Sequence, residues 1–266
     1  MKALVLFSGG LDSRLVIRIL QEKGYEVEAL FFLLPYSKKQ IPKVEGVNLR
    51  VVDCTKGENL KEYLGFLKEP KHGVGAGINP CVDCKVFMFK KAEEIRGEVG
   101  ADFLATGEVP GQRPMSQTKH AFSIIDKKVP GIRRPLIEKG AVGRKRRLQM
   151  DLARHYKIEY PSPSGGCLLC EKELSRRLKF LLGKDLVDEK TLDLTIIGRH
   201  YWIKGWFVVS RDEKESEVID KYPNVVKSGR GKPGVYFHDK KNKSVALKLQ
   251  GAFEKRQQGE YKKFRI

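Results

Sequence analysis

Two residue clusters in this sequence have the composition to do chemistry. One is a Gly- and Ser-rich turn with a single carboxylate, and the other is two pairs of closely spaced cysteines. The turn is Phe7-Ser8-Gly9-Gly10-Leu11-Asp12-Ser13, set between a short apolar run at residues 3–6 and an amphipathic stretch. Gly9 and Gly10 lack side chains, so their N–H groups can approach a pyrophosphate closely, and the positive end of a following helix adds to the attraction. Ser8 and Ser13 offer hydroxyls to phosphate oxygens, and Asp12 suits the Mg²⁺ that neutralises them. ATP is the expected ligand. The same residues also make an ordinary turn and helix cap. The turn lacks the Lys and the longer spacing of a Walker A loop, which disfavours kinase or GTPase chemistry.

The cysteine pairs lie in Asn79-Pro80-Cys81-Val82-Asp83-Cys84-Lys85 and Gly165-Gly166-Cys167-Leu168-Leu169-Cys170, each ahead of an expected helix. A helix amino terminus lowers a thiol pKa, so thiolates are expected there, and two thiolates at this spacing can share one metal ion or one cluster. Four such ligands would equally satisfy a structural zinc. The five apolar residues 3–7 are too short for a secretory segment, and no later stretch reaches membrane-spanning length. The expectation is a cytoplasmic protein without membrane contact, whose five cysteines bind metal or act in catalysis rather than form disulfides. Cys54, at the end of an apolar strand, reads as a buried core thiol.

These residues need a frame. Apolar residues at helical spacing run from Leu15 to Leu20, and strands are predicted at 27–34, 48–53 and 102–106, with helices at 59–67 and 82–96. Strands alternating with helices imply a parallel sheet covered on both faces, with ligands beyond the carboxyl ends of the strands. Ser8, Phe32, Thr106 and Gly107 fall near such ends and complete the expected ATP site. A further strand is predicted at 123–126 and a helix at 142–155. Beyond about residue 182 the pattern becomes β-rich, with strands at 194–197, 202–210, 235–238 and 244–249 and a charged helix at 212–221. The fold class is α/β: a Rossmann-like parallel-sheet domain at 1–185 and a smaller β-rich α+β domain at 186–266.

The chain of 266 residues carries 52 Lys and Arg against 33 Asp and Glu, a formal net charge of +19. A charge-rich surface of ion pairs mixes the signs more evenly, so a polyanion is the natural partner, and nucleic acid leads. Arg113, Arg134, Arg144 and Arg147 are candidates to grip phosphate, whether of ATP or of an RNA backbone, and Lys227, Arg230 and Lys232 form a second basic group. His200, beside Tyr201 and Trp202, is read either as a base-stacking residue or as core.

The heptapeptide at 7–13 resembles the signature of the PP-loop ATP pyrophosphatases, which split ATP between its α- and β-phosphates. Asn79-Pro80 before Cys-x-x-Cys and a basic helix looks like the tRNA thiouridine synthases of that group. Similarity continues through Ala105-Thr106-Gly107-Glu108, Gln112-Arg113-Pro114-Met115-Ser116-Gln117, Arg134-Pro135-Leu136 and Tyr160-Pro161-Ser162-Pro163-Ser164-Gly165-Gly166-Cys167. The resemblance implies an adenine nucleotide alpha-hydrolase-like fold. It further implies a four-iron four-sulfur (4Fe-4S) cluster on Cys81, Cys84 and Cys167, with one iron free to carry an extra sulfide. Cys170 departs from the three-cysteine pattern and is a fourth ligand, a persulfide carrier or a bystander.

The expected function is an ATP-dependent tRNA sulfurtransferase. A uracil carbonyl becomes reactive once its oxygen is adenylated, with Asp12 holding Mg²⁺ as pyrophosphate leaves. Sulfur from a sulfide or persulfide donor, acting at Cys84 and Cys167, then displaces AMP. Two alternatives use the same residues. One is an amide- or nitrile-forming ligase with cysteine-bound zinc, and the other a non-catalytic RNA-binding protein with structural zinc.

Overall fold

The computed structural model describes residues 1–37, 40–161 and 167–266; the segment 162–166 of the Tyr160–Cys167 similarity lies outside the described residues. The chain divides into two compact units, Met1–Glu171 and Lys172–Ile266. The break falls before the helix Lys172–Leu182; the sequence expectation places it at 185.

In the first unit β1 (Lys2–Leu6) leads through the Gly-rich turn into α1 (Leu11–Glu22), then β2 (Glu26–Leu33) and β3 (Asn48–Asp53). α2 (Gly57–Lys68), α3 (Cys81–Glu98) and β4 (Phe103–Thr106) follow, then α4 (Lys119–Lys128), α5 (Pro135–Glu138) and α6 (Arg147–His155). The strands form a parallel sheet in the order β3-β2-β1-β4. Apolar side chains drive this arrangement from both faces of β1, because Ala3, Leu4 and Val5 are all fully buried although neighbours point to opposite sides. α1 packs with α5 and α6, while α3 packs with α2 and α4. Successive strands step outward from β1 to β3, and the chain then crosses to β4 on the other side of β1. The reversal opens a crevice beyond the carboxyl ends of β1 and β4, where an open α/β sheet binds ligands.

The second unit contains α7 (Lys172–Leu182), β5 (Arg199–Trp202), β6 (Trp206–Val209), α8 (Glu213–Ile219), β7 (Val225–Val226), β8 (Val235–Phe237) and α9 (Lys243–Glu254). Its antiparallel sheet runs β5-β6-β8-β7. Phe207, Val209, Val235 and Phe237 pack with Ala246 and Leu249 of α9.

Several predicted elements differ. Residues 123–126 are helical within α4, where Thr118 accepts a hydrogen bond from the Ala121 N–H (3.0 Å) and so starts the helix. Residues 244–249 belong to helix α9. Val245, Leu247 and Leu249 alternate like a strand, but Leu247 is 51% exposed while Ala246, Leu249 and Gln250 are buried, which is a helical stripe. The strand predicted at 194–197 overlaps the 3₁₀ turn Asp193–Thr195 instead, and the strand within 202–210 is β6, Trp206–Val209, paired antiparallel with β5. The helix expected from 142 starts at Arg147, because Gly143 (φ +71°) and Arg146 (φ +51°) are left-handed.

His200 belongs to the core. It is 1% exposed and stacks on Trp206. The Trp206 indole N–H donates to His200 Nδ1 (3.0 Å), so the ring proton sits on Nε2 and reaches the Ile197 carbonyl (2.7 Å). Burial, with Arg177 as a second cause, holds its pKa well below the usual histidine value. The neutral form is required for folding, so this contribution to stability is complete above about pH 6.5 and is lost as the pH falls below it. Thermal unfolding followed by tryptophan fluorescence will show an acid-side decline that is shallower in His200→Gln. An identical acid slope in the variant would contradict this.

Candidate active site

The Gly-rich turn sits at the crevice. Phe7 N–H still pairs with the Leu30 carbonyl (2.8 Å), and the chain then breaks from the sheet through Gly9 at φ +73°. Gly10 caps α1 without any side-chain hydrogen bond, so the helix begins with backbone donors that no cap fills. Ser13, 4% exposed, donates to the Gly10 carbonyl (2.9 Å) and accepts from Ser8 N–H (3.3 Å), which folds the turn into a loop around the helix end. Arg14 secures it from outside, donating to the carbonyls of Gly9 (3.0 Å) and Lys43 (3.0 Å).

Gly107 closes the crevice from the β4 side. A Cβ there would lie 2.7 Å from the Asp12 carbonyl carbon and 2.9 Å from Ser13 N, so only glycine permits this approach. Thr106 beside it is 4% exposed, and Phe32 on β2 is 8% exposed. Three of the predicted strand ends, after β1, β2 and β4, thus belong to one end of one sheet.

Asp12 is the polar centre. Its Oδ2 accepts from Gln112 Nε2 (2.7 Å), and Gln112 Oε1 in turn accepts from Gln149 (3.3 Å). Its Oδ1 is buried and, among the described residues, has no hydrogen bond; Arg146 Nη2 stands 3.6 Å away. Arg146 Nε is likewise buried and unbonded among the described residues, and its backbone holds the left-handed conformation that side chains disfavour. Within the basic run 144–147 it is therefore Arg146 that reaches the turn, while Arg144 and Arg147 are exposed. Spacing alone could not single it out, since four consecutive basic residues look alike. Arg113 is exposed. Arg134 is 11% exposed at its side chain and already engaged, with both terminal nitrogens on Asp126 (3.1 and 2.7 Å) and Nε 3.5 Å from Glu108.

Glu108 links the turn to the cysteines. Its side chain is 2% exposed, and its carboxylate is held by cations at short range, Lys85 Nζ at 3.1 Å and Arg134 Nε at 3.5 Å, without a well-angled hydrogen bond among the described residues. Glu108 follows Gly107 in the chain and Lys85 follows Cys84, so this pair ties the β4 end to the first turn of α3.

The two cysteine pairs adjoin. Ile78 N–H donates to the Leu169 carbonyl (3.2 Å), Leu168 N–H to the Tyr36 carbonyl (3.0 Å), and Cys167 turns its sulfur toward that same carbonyl (3.5 Å). Asn79, 4% exposed, places an amide on Cys81 Sγ (3.1 Å). Asp83 lies buried within the first pair, where it accepts from Lys71 N–H (3.2 Å) and His72 N–H (3.1 Å) and holds His72 Nδ1 at 2.8 Å. The expected thiolates are not what the electrostatics favour. Burial, then the neighbouring Cys167 charge, pushes Cys84 up to about 12, and burial pushes Cys167 up to about 11. At Cys84 desolvation outweighs the helix end, favouring a thiol unless a cation joins it. Cys167 and Cys170 are exposed as residues, and partial desolvation of the sulfur raises Cys170 as it does Cys167; Cys54 is core, pushed up to about 12. Among the described residues, no three His, Cys, Asp or Glu side chains gather closely enough around one point to hold a metal ion.

Comparison with known proteins places this geometry. The family profile described as "ThiI: Thiamine biosynthesis protein (ThiI)" matches residues 1–142. The chain belongs to the ThiI family. The ThiI match includes the Gly-rich turn, Cys81, Cys84 and the Gly107 loop, and it stops short of Arg146 and the second cysteine pair. A tRNA-specific 2-thiouridylase of Nitratiruptor sp. is 32% identical over 117 residues, covering 40% of this chain and 34% of that protein. A probable tRNA sulfurtransferase of Thermoanaerobacter sp. is 31% identical over 140 residues, covering 51% of this chain and 37% of that protein. The chain spans about a third of the length of these relatives. A solved 4-thiouridine synthetase–RNA complex with bound ATP is also similar, at 20% identity and a TM-score of 0.40 over 73% of this chain and 52% of that one. No helix among the described residues is long and apolar enough to cross a membrane.

The two glycines of the crevice make opposite predictions. Gly107→Ala forces β4 away from α1 and will cost about 1–3 kcal/mol in denaturant unfolding. Gly10→Ala will be tolerated in the same measurement, because its nearest neighbour is the Ser8 hydroxyl at 3.5 Å. Equal losses in the two variants would refute the close-approach argument.

Proposed function

We propose that this ThiI-family chain is an ATP-dependent tRNA sulfurtransferase. In this reading Met1–Glu171 binds ATP and carries out thiolation, Lys172–Ile266 contributes RNA binding, and the reaction takes place in the cytoplasm. The observation that carries the reading is the Asp12 carboxylate. It stands beside an uncapped helix end at the crevice, with one oxygen buried and unbonded among the described residues and an arginine opposite it.

Asp12 Oδ1 has the hard-oxygen chemistry that Mg²⁺ requires, and the ion would offset charge on the ATP phosphates. The backbone donors of Ser8 to Ser13 bind the phosphates, with Phe32, Thr106 and Gly107 bounding the nucleotide. Arg146 turns from Asp12 to the departing pyrophosphate, completing its hydrogen bonds as it does so. A uridine carbonyl oxygen attacks the α-phosphorus and pyrophosphate leaves. Hydrosulfide then adds to the activated carbon, and AMP departs with the former carbonyl oxygen. Arg113, Arg144 and Arg147, all exposed, suit the RNA backbone.

Cys81, Cys84 and Cys167 are the proposed ligands of a 4Fe-4S cluster. Their fit rests on soft donors brought together by the Ile78–Leu169 contact, and on the raised pKa values of Cys84 and Cys167, which a cation would reverse. Such a cluster would supply a soft sulfur nucleophile sheltered from water. Cys170, outside the set of three, is the first candidate to pass sulfur in from an external donor.

AMP and pyrophosphate release, measured with unmodified tRNA and Mg²⁺, will fall about 10²-fold or more in Asp12→Asn and in Arg146→Gln with folding retained. Protein purified without oxygen will carry about four irons and four sulfides per chain, lost in Cys81→Ala, Cys84→Ala and Cys167→Ala. Stoichiometric zinc requiring Cys170 as well, with no ATP consumption on any tRNA, would overturn the reading.

A further inference from the structure

The turn between β7 and β8 reads Lys227-Ser228-Gly229-Arg230-Gly231-Lys232-Pro233-Gly234. It is fixed more firmly than a connection between two short strands requires. Gly229 and Lys232 exchange backbone hydrogen bonds (3.1 and 2.9 Å), leaving Arg230 and Gly231 at the tip with Gly231 at φ +73°. Below the tip, Gln250 of α9, 8% exposed, donates to the carbonyls of both Lys227 and Pro233 at 2.8 Å each, closing the neck. Asp220 accepts from Ser228 N–H (3.0 Å) and its hydroxyl (2.6 Å), and Gly234 makes room for it, since a Cβ there would lie 2.8 Å from Asp220 Oδ1.

What this scaffold holds out is positive charge. Lys227, Arg230 and Lys232 are exposed. Among the described residues only Lys232 of the three has an ion pair, with Glu254 at 3.3 Å. Asp220, whose carboxylate reaches the turn from the end of α8, is occupied by Ser228. The tip N–H groups of Arg230 and Gly231 make no backbone hydrogen bond among the described residues.

We propose that this hairpin is a preorganised contact for the phosphate backbone of RNA. The inference rests on the tRNA reading above and assigns part of that binding to the second unit. Cations on a loop already ordered lose little freedom on binding, so a fixed polyanion gains more from them than from mobile surface lysines. Free N–H groups beside a left-handed glycine add donors for phosphate oxygens. A membrane surface fits less well, because the turn has no aromatic or large aliphatic side chain to enter the acyl boundary.

The test is anisotropy of fluorescent unmodified tRNA with the full chain across a KCl series. Arg230→Ala will weaken binding about 3–10-fold and lower the salt slope by about one, and the double variant with Lys227→Ala will lower it by about two. Gln250→Leu removes no charge, so it will weaken binding with the slope retained, and thermal melts will confirm folding. Lys190→Ala, exposed elsewhere in the unit, will change neither. If the wild type binds tRNA and the double variant matches its affinity and slope, the hairpin assignment is wrong while the tRNA reading stands. If the wild type binds no tRNA, both are wrong. If the double variant loses binding only to phosphatidylserine vesicles, the contact is lipid and the proposal is overturned.

Discussion

The approach of Gly107 to the first turn of α1 is the contact on which the rest of the site depends. The β4 backbone must come within van der Waals range of Asp12 and Ser13 for the crevice at the sheet reversal to close. A side chain at that position would separate the two strand ends. With them would go the Gln112 bond to Asp12, since Gln112 lies a few residues along the same loop. The absence of one Cβ thus sets the position of the carboxylate, and the carboxylate sets the position of Arg146.

The same loop extends order toward the cysteines. Glu108 is buried with charged partners, an arrangement that stabilises little compared with apolar packing but is costly to leave half-made. Its partner Lys85 sits one residue after Cys84, so relative motion of the Gly-rich turn and the first cysteine pair would leave a buried carboxylate without its ammonium. The thiols respond to the same low-dielectric surroundings. Burial pushes the Cys84 thiol up to about 12, so a compensating positive charge favours its thiolate.

Local signals made the first unit legible. The apolar run of β1, the paired glycines and the periodic Leu15, Val16, Ile19 and Leu20 together define strand, turn and helix, and repetition of that pattern implies a parallel sheet. Short apolar segments were less informative. Ile124 and Ile125 resemble a strand until the Thr118 cap is seen, and α9 alternates over five residues before its helical stripe shows through burial. Contacts between distant residues left no local mark. Nothing near Glu108 points to Lys85, nothing distinguishes Arg146 from its basic neighbours until the left-handed turn aims it at Asp12, and helix position says nothing of the burial that pushes Cys84 up. His200 and its aromatic neighbours offered two readings, and burial selected the core.

The central claim is that the Gly-rich turn and the cysteine pairs serve one reaction on one RNA base. Incubating the anaerobically purified chain with Mg²⁺, ATP, sulfide and unmodified tRNA, then digesting the RNA for nucleoside mass spectrometry, tests it most directly. The account predicts a thiouridine formed only when ATP is present and abolished by Cys84→Ala. Pyrophosphate release without any thiolated nucleoside, at full cluster content, would contradict it and separate the two sites functionally.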